Sequence, residues 1–202
     1  PSPLPHLFYG ASIPSPLTSV TLTDADALDD YTFENCSRLR TITLHKDLKT
    51  IGAYAFYNCR GLQTLTLPST VTRIENNAFD GCTGLKKITI PSSVTTIGHS
   101  AFQGCSGFDG MLVIEETDDL IIGNNAFSSC SGFTGLELGY GVREIGEYAF
   151  YRCTGMTGDL AIPNSVSSIG SYAFYQCNGF DGTLTLSENL SVISSYAFSN
   201  CT

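Results

Sequence analysis

Apolar and polar positions along this chain follow one schedule, repeated every 23 to 25 residues. In each copy a segment of the form LxxLxL sets apolar side chains in the alternation of a short strand, as in LRTITL (39–44), LQTLTL (62–67), LKKITI (85–90) and FTGLEL (133–138). A first strand is expected at LTSVTL, from Leu17. Three copies are wider by one residue: FDGMLVI from Phe108, MTGDLAI from Met156 and FDGTLTL from Phe180. Gly110, Gly158 and Gly182 fall in the widened part, where a turn or bulge is tolerated. Pro68, Pro91 and Pro163 end three of the strands, because proline has no N–H to give to a ladder. An apolar pair three residues apart, such as Val71 and Ile74 or Val142 and Ile145, then leads into IGxxAFxxC. The Ala and Phe of that segment, close to the preceding Ile, suit a short helical turn on the side of the coil opposite the strand.

The phenylalanines of this motif are Phe33, Phe56, Phe79, Phe102, Phe127, Phe150, Phe174 and Phe198, each three residues before a cysteine. A fixed period in the twenties is the mark of a solenoid, whose coils are unstable alone and gain a continuous core by stacking. Like residues then lie over like, and Phe and Ala return because every coil must match the shapes above and below it. The cysteines, Cys36, Cys59, Cys82, Cys105, Cys130, Cys153, Cys177 and Cys201, share this phase. Stacking at about 4.8 Å separates equivalent Cβ atoms by more than the roughly 3.8 Å a disulfide prefers. The reading favours a column of buried free thiols, with pairwise disulfides as the alternative. Zinc ligation is not expected, because no CxxC or His-rich spacing occurs.

Copies such as LKKITIPSSVTTIGHSAFQGCSGF (85–108) match LxxLxIPxSVxxIGxxAFxxCxxL almost throughout. In this pattern the chain resembles the BspA-like class of leucine-rich repeat over about residues 17–202. It departs from the pattern at Thr32 in the Ala position, at Glu75 and Ser194 in the Gly position, and in the acidic insertion EETDDL from Glu115. The resemblance implies an α/β fold: a right-handed leucine-rich repeat solenoid of about eight coils with a concave parallel β-sheet and short helical turns on the convex side. A Pro-rich N-terminal segment, residues 1–16, precedes it. The resemblance also implies surface proteins of host-associated bacteria and some parasitic protists, active in adhesion and host-protein binding without catalysis.

Composition narrows the functional classes. The formal net charge of −9 counts against nucleic acid, whose phosphates need a basic face. No run of about 18 apolar residues is present, so no membrane-inserting segment is expected. The three histidines, His6, His45 and His99, have no evident nucleophile beside them, and eight equivalent cysteines speak for architecture, so neither an enzyme nor a cofactor is expected. Glu115, Glu116, Asp118 and Asp119 lack the Asp/Asn-Gly loop of a calcium site and read as a solvated insertion. Residues 38–87 hold eight of the ten basic groups against three acidic ones. Residues 88–202 hold two basic and eleven acidic.

Between the inward apolar positions of each strand, side chains must face outward. One such column reads Thr21, Thr43, Thr66, Thr89, Val113, Glu137, Ala161 and Thr185; the other reads Ser19, Thr41, Thr64, Lys87, Met111, Gly135, Asp159 and Thr183. Threonine favours exposed sheet positions without any ligand. The threonines stop, however, at Lys87, Met111, Val113, Glu137 and Asp159, and an exposed Met and Val beside charges resemble an interaction patch. The expected ligand strip therefore comprises Thr64, Thr66, Lys87, Thr89, Met111, Val113, Glu137 and Asp159. Its expected partner is a host or neighbouring-cell surface protein, with a glycan as second choice, for a module at the cell surface or outside the cell. The competing expectation is a structural spacer that projects another domain of a longer surface protein.

Overall fold

The computed structural model describes residues 18–201, so the Pro-rich segment expected over 1–16 lies outside the described residues. Each coil but one runs through a first strand, a second strand and a turn segment; the coil of Thr64 lacks the first strand. In chain order the strands are β1 (Ser19–Thr21), β2 (Ala27–Leu28), β3 (Thr41–Thr43), β4 (Thr50–Ile51), β5 (Arg73–Ile74), β6 (Thr89–Ile90), β7 (Thr96–Ile97), β8 (Met111–Ile114), β9 (Leu120–Ile122), β10 (Gly135–Leu138), β11 (Val142–Ile145), β12 (Leu160–Ala161), β13 (Ser168–Ile169), β14 (Leu184–Thr185) and β15 (Val192–Ile193). Pairing is parallel throughout and follows the repeat, with one register shift, between Val142 and Glu144 where β11 pairs with β9.

The LxxLxL strands form the first face in three pieces, β1 with β3, β6 with β8 and β10, and β12 with β14. A single bridge, Thr41 to Thr64, carries the ladder onto the coil that has no first strand of its own. The sequence pattern does not show the longer sheet. That sheet joins β2, β4, β5, β7, β9, β11, β13 and β15, eight strands built from the apolar pair before IGxxAF. Ile51, Ile74, Ile97, Ile122, Ile145, Ile169 and Ile193 lie over one another along it. Most of its strands are two residues long, too short for alternation to be visible in the sequence.

The third side corrects the expectation of helical turns: no helix occurs among the described residues. The segment is instead a stack of turns. Ala55, Tyr57 and Cys59 donate their N–H groups to the carbonyls of Gly52, Tyr54 and Phe56, three residues back. The alternate residues Tyr54, Phe56 and Asn58 donate to Asn76, Ala78 and Asp80 on the next coil. A helix would use all of these donors within the segment. Left-handed φ values at Tyr54 (55°) and Asn58 (57°) break the helical path and turn every second N–H outward along the stack.

The core is one column of coils. Phe33, Phe56, Phe79, Phe102, Phe127, Phe150 and Phe174 are fully buried, and their rings stack at centroid distances from 5.0 to 5.5 Å. Close stacking explains the glycine of the motif: a Cβ on Gly98 would lie 2.7 Å from the backbone nitrogen of Asn76.

Candidate functional site

The first face carries the columns read from the sequence. The register places Thr41 beside Thr64, Thr89 beside Val113, Met111 beside Gly135 and Val113 beside Glu137. Leu112, Ile114 and Leu136 point inward and are buried, so their neighbours are held outward by the pleat. Thr64 and Thr66, with Thr41, Thr43 and Lys46, line a groove of about 620 Å³ on the early coils. A recess of about 400 Å³ continues it between Thr66, Lys87, Thr89 and Glu115. Glu115 closes that recess because its Oε2 accepts the N–H of Ser92 at 2.9 Å.

Met111 is 54% exposed, on the first strand of a middle coil. A Cβ added to Gly135 would sit 3.5 Å from the Met111 methyl carbon, so the Met111 thioether chain lies across the space that glycine leaves empty. Gly135 is itself buried beneath it. Val113 is half-buried and Glu137 exposed, and both adjoin this patch in register. Lys87, Thr89, Met111, Val113 and Glu137 thus lie on neighbouring coils of one face. Asp159 lies further along the column, and its carboxylate is engaged by the backbone: Oδ1 accepts the N–H of Thr183 at 2.6 Å. Asp159 ties one coil to the next.

Several exposed apolar side chains escaped the sequence reading: Leu184, Leu186 and Ile193 of the last described coil, in the inward phase of the repeat, are 38% to 48% exposed, and two more lie on middle coils. Ile121 (44% exposed) projects from the middle of β9, and Tyr140 (63% exposed) from the turn between β10 and β11. Ile121 was legible in principle, because its partners Thr96 and Glu144 in that column are polar.

The eight cysteines are unpaired thiols. From Cys59 onward each Sγ donates to a phenylalanine carbonyl on the preceding coil at 3.0 to 3.1 Å, beginning with Cys59 to Phe33 and ending with Cys201 to Phe174. Burial pushes the thiols of Cys82, Cys105 and Cys153 well above the ordinary range, and that of Cys177 up to about 12. Thiols so protonated are poor nucleophiles and poor metal ligands. No cluster of three or more His, Cys, Asp or Glu side chains suited to a metal occurs among the described residues. His45 is half-buried at a strand end, where its Nδ1 faces the N–H of Asp47 at 3.4 Å, and His99 is exposed on a turn; His6 lies outside the described residues.

A sequence profile of the BspA type leucine rich repeat region, in six copies, matches residues 6–117 and 120–202. The chain belongs to this family. BspA-type repeats thus account for the period, the stacked Phe column and the Gly-x-x-Ala-Phe turn. Among solved structures, the chain is similar to the T. pallidum leucine rich repeat protein, at 23% identity over 81% of this chain and 78% of that one, with a TM-score of 0.70. It is similar to a leucine-rich repeat protein from Eubacterium ventriosum, at 20% identity, 91% and 58% coverage and a TM-score of 0.72. A leucine-rich repeat protein from Bacteroides ovatus matches at 25% identity, 91% and 56% coverage and a TM-score of 0.57. The chain spans little more than half the length of the latter two. No curated relative matches it.

Proposed function

We propose that the chain is a non-enzymatic binding module of a cell-surface or secreted protein, recognising a partner protein on the first face of its solenoid. The observation that carries this is Met111, a flexible apolar side chain kept 54% exposed in a column where the other coils present threonine, serine, glycine or a charged residue. Methionine adapts its shape to a partner at little cost, which suits a contact surface and serves no purpose on a solvated sheet. Val113 adds apolar area beside it, and Lys87 and Glu137 supply charges of both signs at the rim, the usual anatomy of a recognition patch. Thr64, Thr66 and Thr89 extend the strip with hydroxyl groups. Asp159 is left out, since its carboxylate binds the Thr183 N–H.

The test is binding of the chain to an array of purified host-surface and extracellular-matrix proteins, repeated with Met111→Asp combined with Val113→Asp. Both positions are outward-facing, so the fold is expected to survive, and affinity for the ligand is expected to fall at least tenfold. Unchanged affinity in the double variant would show that the strip is placed wrongly. A chain that binds nothing on the array, while melting cooperatively, would favour a structural spacer.

A further inference from the structure

The loop that carries each coil from its cysteine into its first strand differs between the two halves of the molecule. After Cys105, Cys130 and Cys153 it reads SGFD, SGFT and TGMT. After Cys36, Cys59 and Cys82 it reads SRLR, RGLQ and TGLK. The early loops converge on a groove of about 480 Å³ lined by Arg38, Arg40, Arg60, Gln63 and Lys86, with Thr18 and Ser37 at its margin and Gly61 and Gly84 in its wall. The glycines are demanded by stacking, since a Cβ on Gly61 would lie 2.4 Å from the Ser37 carbonyl oxygen and one on Gly84 2.5 Å from that of Arg60. Backbone is therefore bare between the cationic side chains.

No carboxylate among the described residues lines this groove. Arg40, Arg60 and Lys86 are exposed, and none forms an ion pair among the described residues, where the cations that do are Lys46, Arg73 and Arg143. Lys86 donates only to the Gly107 carbonyl, at 3.3 Å. Asp109, which follows Lys86 in the same column, marks the acidic limit of the patch. Arg40, Arg60 and Lys86, gathered with no ion pair among the described residues, repel one another and give the fold little. In a chain of net charge −9 they also form a local field opposite to that of the whole, which is what a bound anion would require.

The lining selects among polyanions. An acidic peptide gains much of its affinity from apolar anchors set in pockets, and no apolar side chain among the described residues lines this groove. The exposed large apolar residues, such as Met111, Ile121, Tyr140 and Leu184, all belong to later coils. What the groove offers is guanidinium forks that hold oxyanions with two parallel hydrogen bonds, an ammonium, an amide, hydroxyls and open backbone. Arg40 and Lys86 stand two coils apart, about 10 Å along the stack, so the cations run along the solenoid axis as a linear polymer would lie. We propose that this groove binds an anionic polysaccharide, one that carries sulfate or carboxylate groups along its chain. The site is separate from the Met111 strip and does not depend on it.

The experiment measures binding of the full chain to dextran sulfate, polygalacturonate, neutral dextran and a poly-glutamate peptide over a range of salt. Binding to one or both anionic polysaccharides is expected, weakening as salt rises, with none to neutral dextran; the sulfated and carboxylated arms identify the anion. The variant Arg40→Gln/Arg60→Gln/Lys86→Gln should bind at least tenfold more weakly with an unchanged melting temperature. The variant Lys49→Gln/Arg73→Gln/Arg152→Gln, matched in net charge but outside the groove, should stay within twofold of the parent. The proposal is overturned if neither anionic polysaccharide binds, if both variants lose affinity alike, or if poly-glutamate binds as tightly as the polysaccharides.

Discussion

The thiol of Cys105 donates to the carbonyl oxygen of Phe79, one coil earlier, across 3.1 Å. The same carbonyl accepts the N–H of Cys82 on its own coil, so one oxygen joins two neighbouring turns. The cysteine column is thus a set of side-chain rungs between coils. Replacing Cys105 by Ala removes a rung and leaves a small void in a fully buried site. A loss of about 1 to 2 kcal/mol is expected from the lost bond and the void together, read as a lower urea midpoint. The same change at Cys36, whose contact to a carbonyl is longer, 3.8 Å to Glu34 of its own coil, should cost measurably less.

The buried thiols also set a pH limit. Cys82, Cys105, Cys153 and Cys177 titrate higher in the fold than the ordinary thiol value of 9.0, Cys177 at about 12, chiefly because burial disfavours the thiolate. Above pH 9 the unfolded chain releases protons that the folded chain retains, so stability present below that pH is lost as pH rises toward 12. The expected slope is about 1.4 kcal/mol per pH unit for each such thiol. Cys36, held low by a hydrogen bond with Cys59, works the other way but is one group against seven. Urea midpoints should be flat from neutral pH to about pH 8.5 and then fall steeply, and a Cys153→Ala background should fall less steeply.

Phe102 stacks between Phe79 at 5.0 Å and Phe127 at 5.1 Å, with no exposure. Phe102→Ala opens a cavity that the regular coils on either side cannot collapse to fill. The expected cost is about 3 to 5 kcal/mol, seen as a large drop in melting temperature and new protease sensitivity. Gly98→Ala tests the same tight stacking from the backbone side. Its Cβ would meet Asn76 N and Asn76 Oδ1 at 2.7 Å, and a loss of about 1 to 3 kcal/mol is expected.

Gln176 holds a φ of 57° at the position where other coils place Asn58, Gly81, Gly104 and Asn200. Asparagine tolerates the left-handed region better than glutamine, so Gln176→Asn should stabilise the chain by about 0.5 kcal/mol. Thermal melting of the variant beside the parent checks this, and a decrease would mean that the Gln176 side chain contributes contacts worth more than the backbone strain.

Much of the architecture is visible in the residues. The spacing of Phe and Cys predicts one stacked column, and the rings from Phe33 to Phe198 form it. The outward columns of the first strands also lie in the predicted register, from Thr21 beside Thr43 to Ala161 beside Thr185. The helical turn at GAYAFYNC is absent, because a local apolar pattern cannot tell whether the N–H of Phe56 closes onto its own coil or reaches Ala78 on the next. The eight-stranded sheet is likewise invisible, since two residues such as Thr50 and Ile51 become a strand only when Arg73 and Ile74 pair beside them. At the proposed ligand strip, the outward direction of Met111 follows from alternation, whereas the binding of Asp159 to the Thr183 N–H does not.

What the amino-acid order determined by itself is the period, and with it the rule that equivalent residues of the inner coils share one environment. That follows because each coil buries its Phe, Ala, Ile and Cys only against copies of themselves. What only the tertiary structure decided is how the polar groups are spent: which N–H donates across the stack, which thiol meets which carbonyl, and which of Asp159, Arg40 or Lys86 is left facing outward. Those choices depend on distances between residues more than twenty positions apart, and such distances exist only once neighbouring coils are in contact.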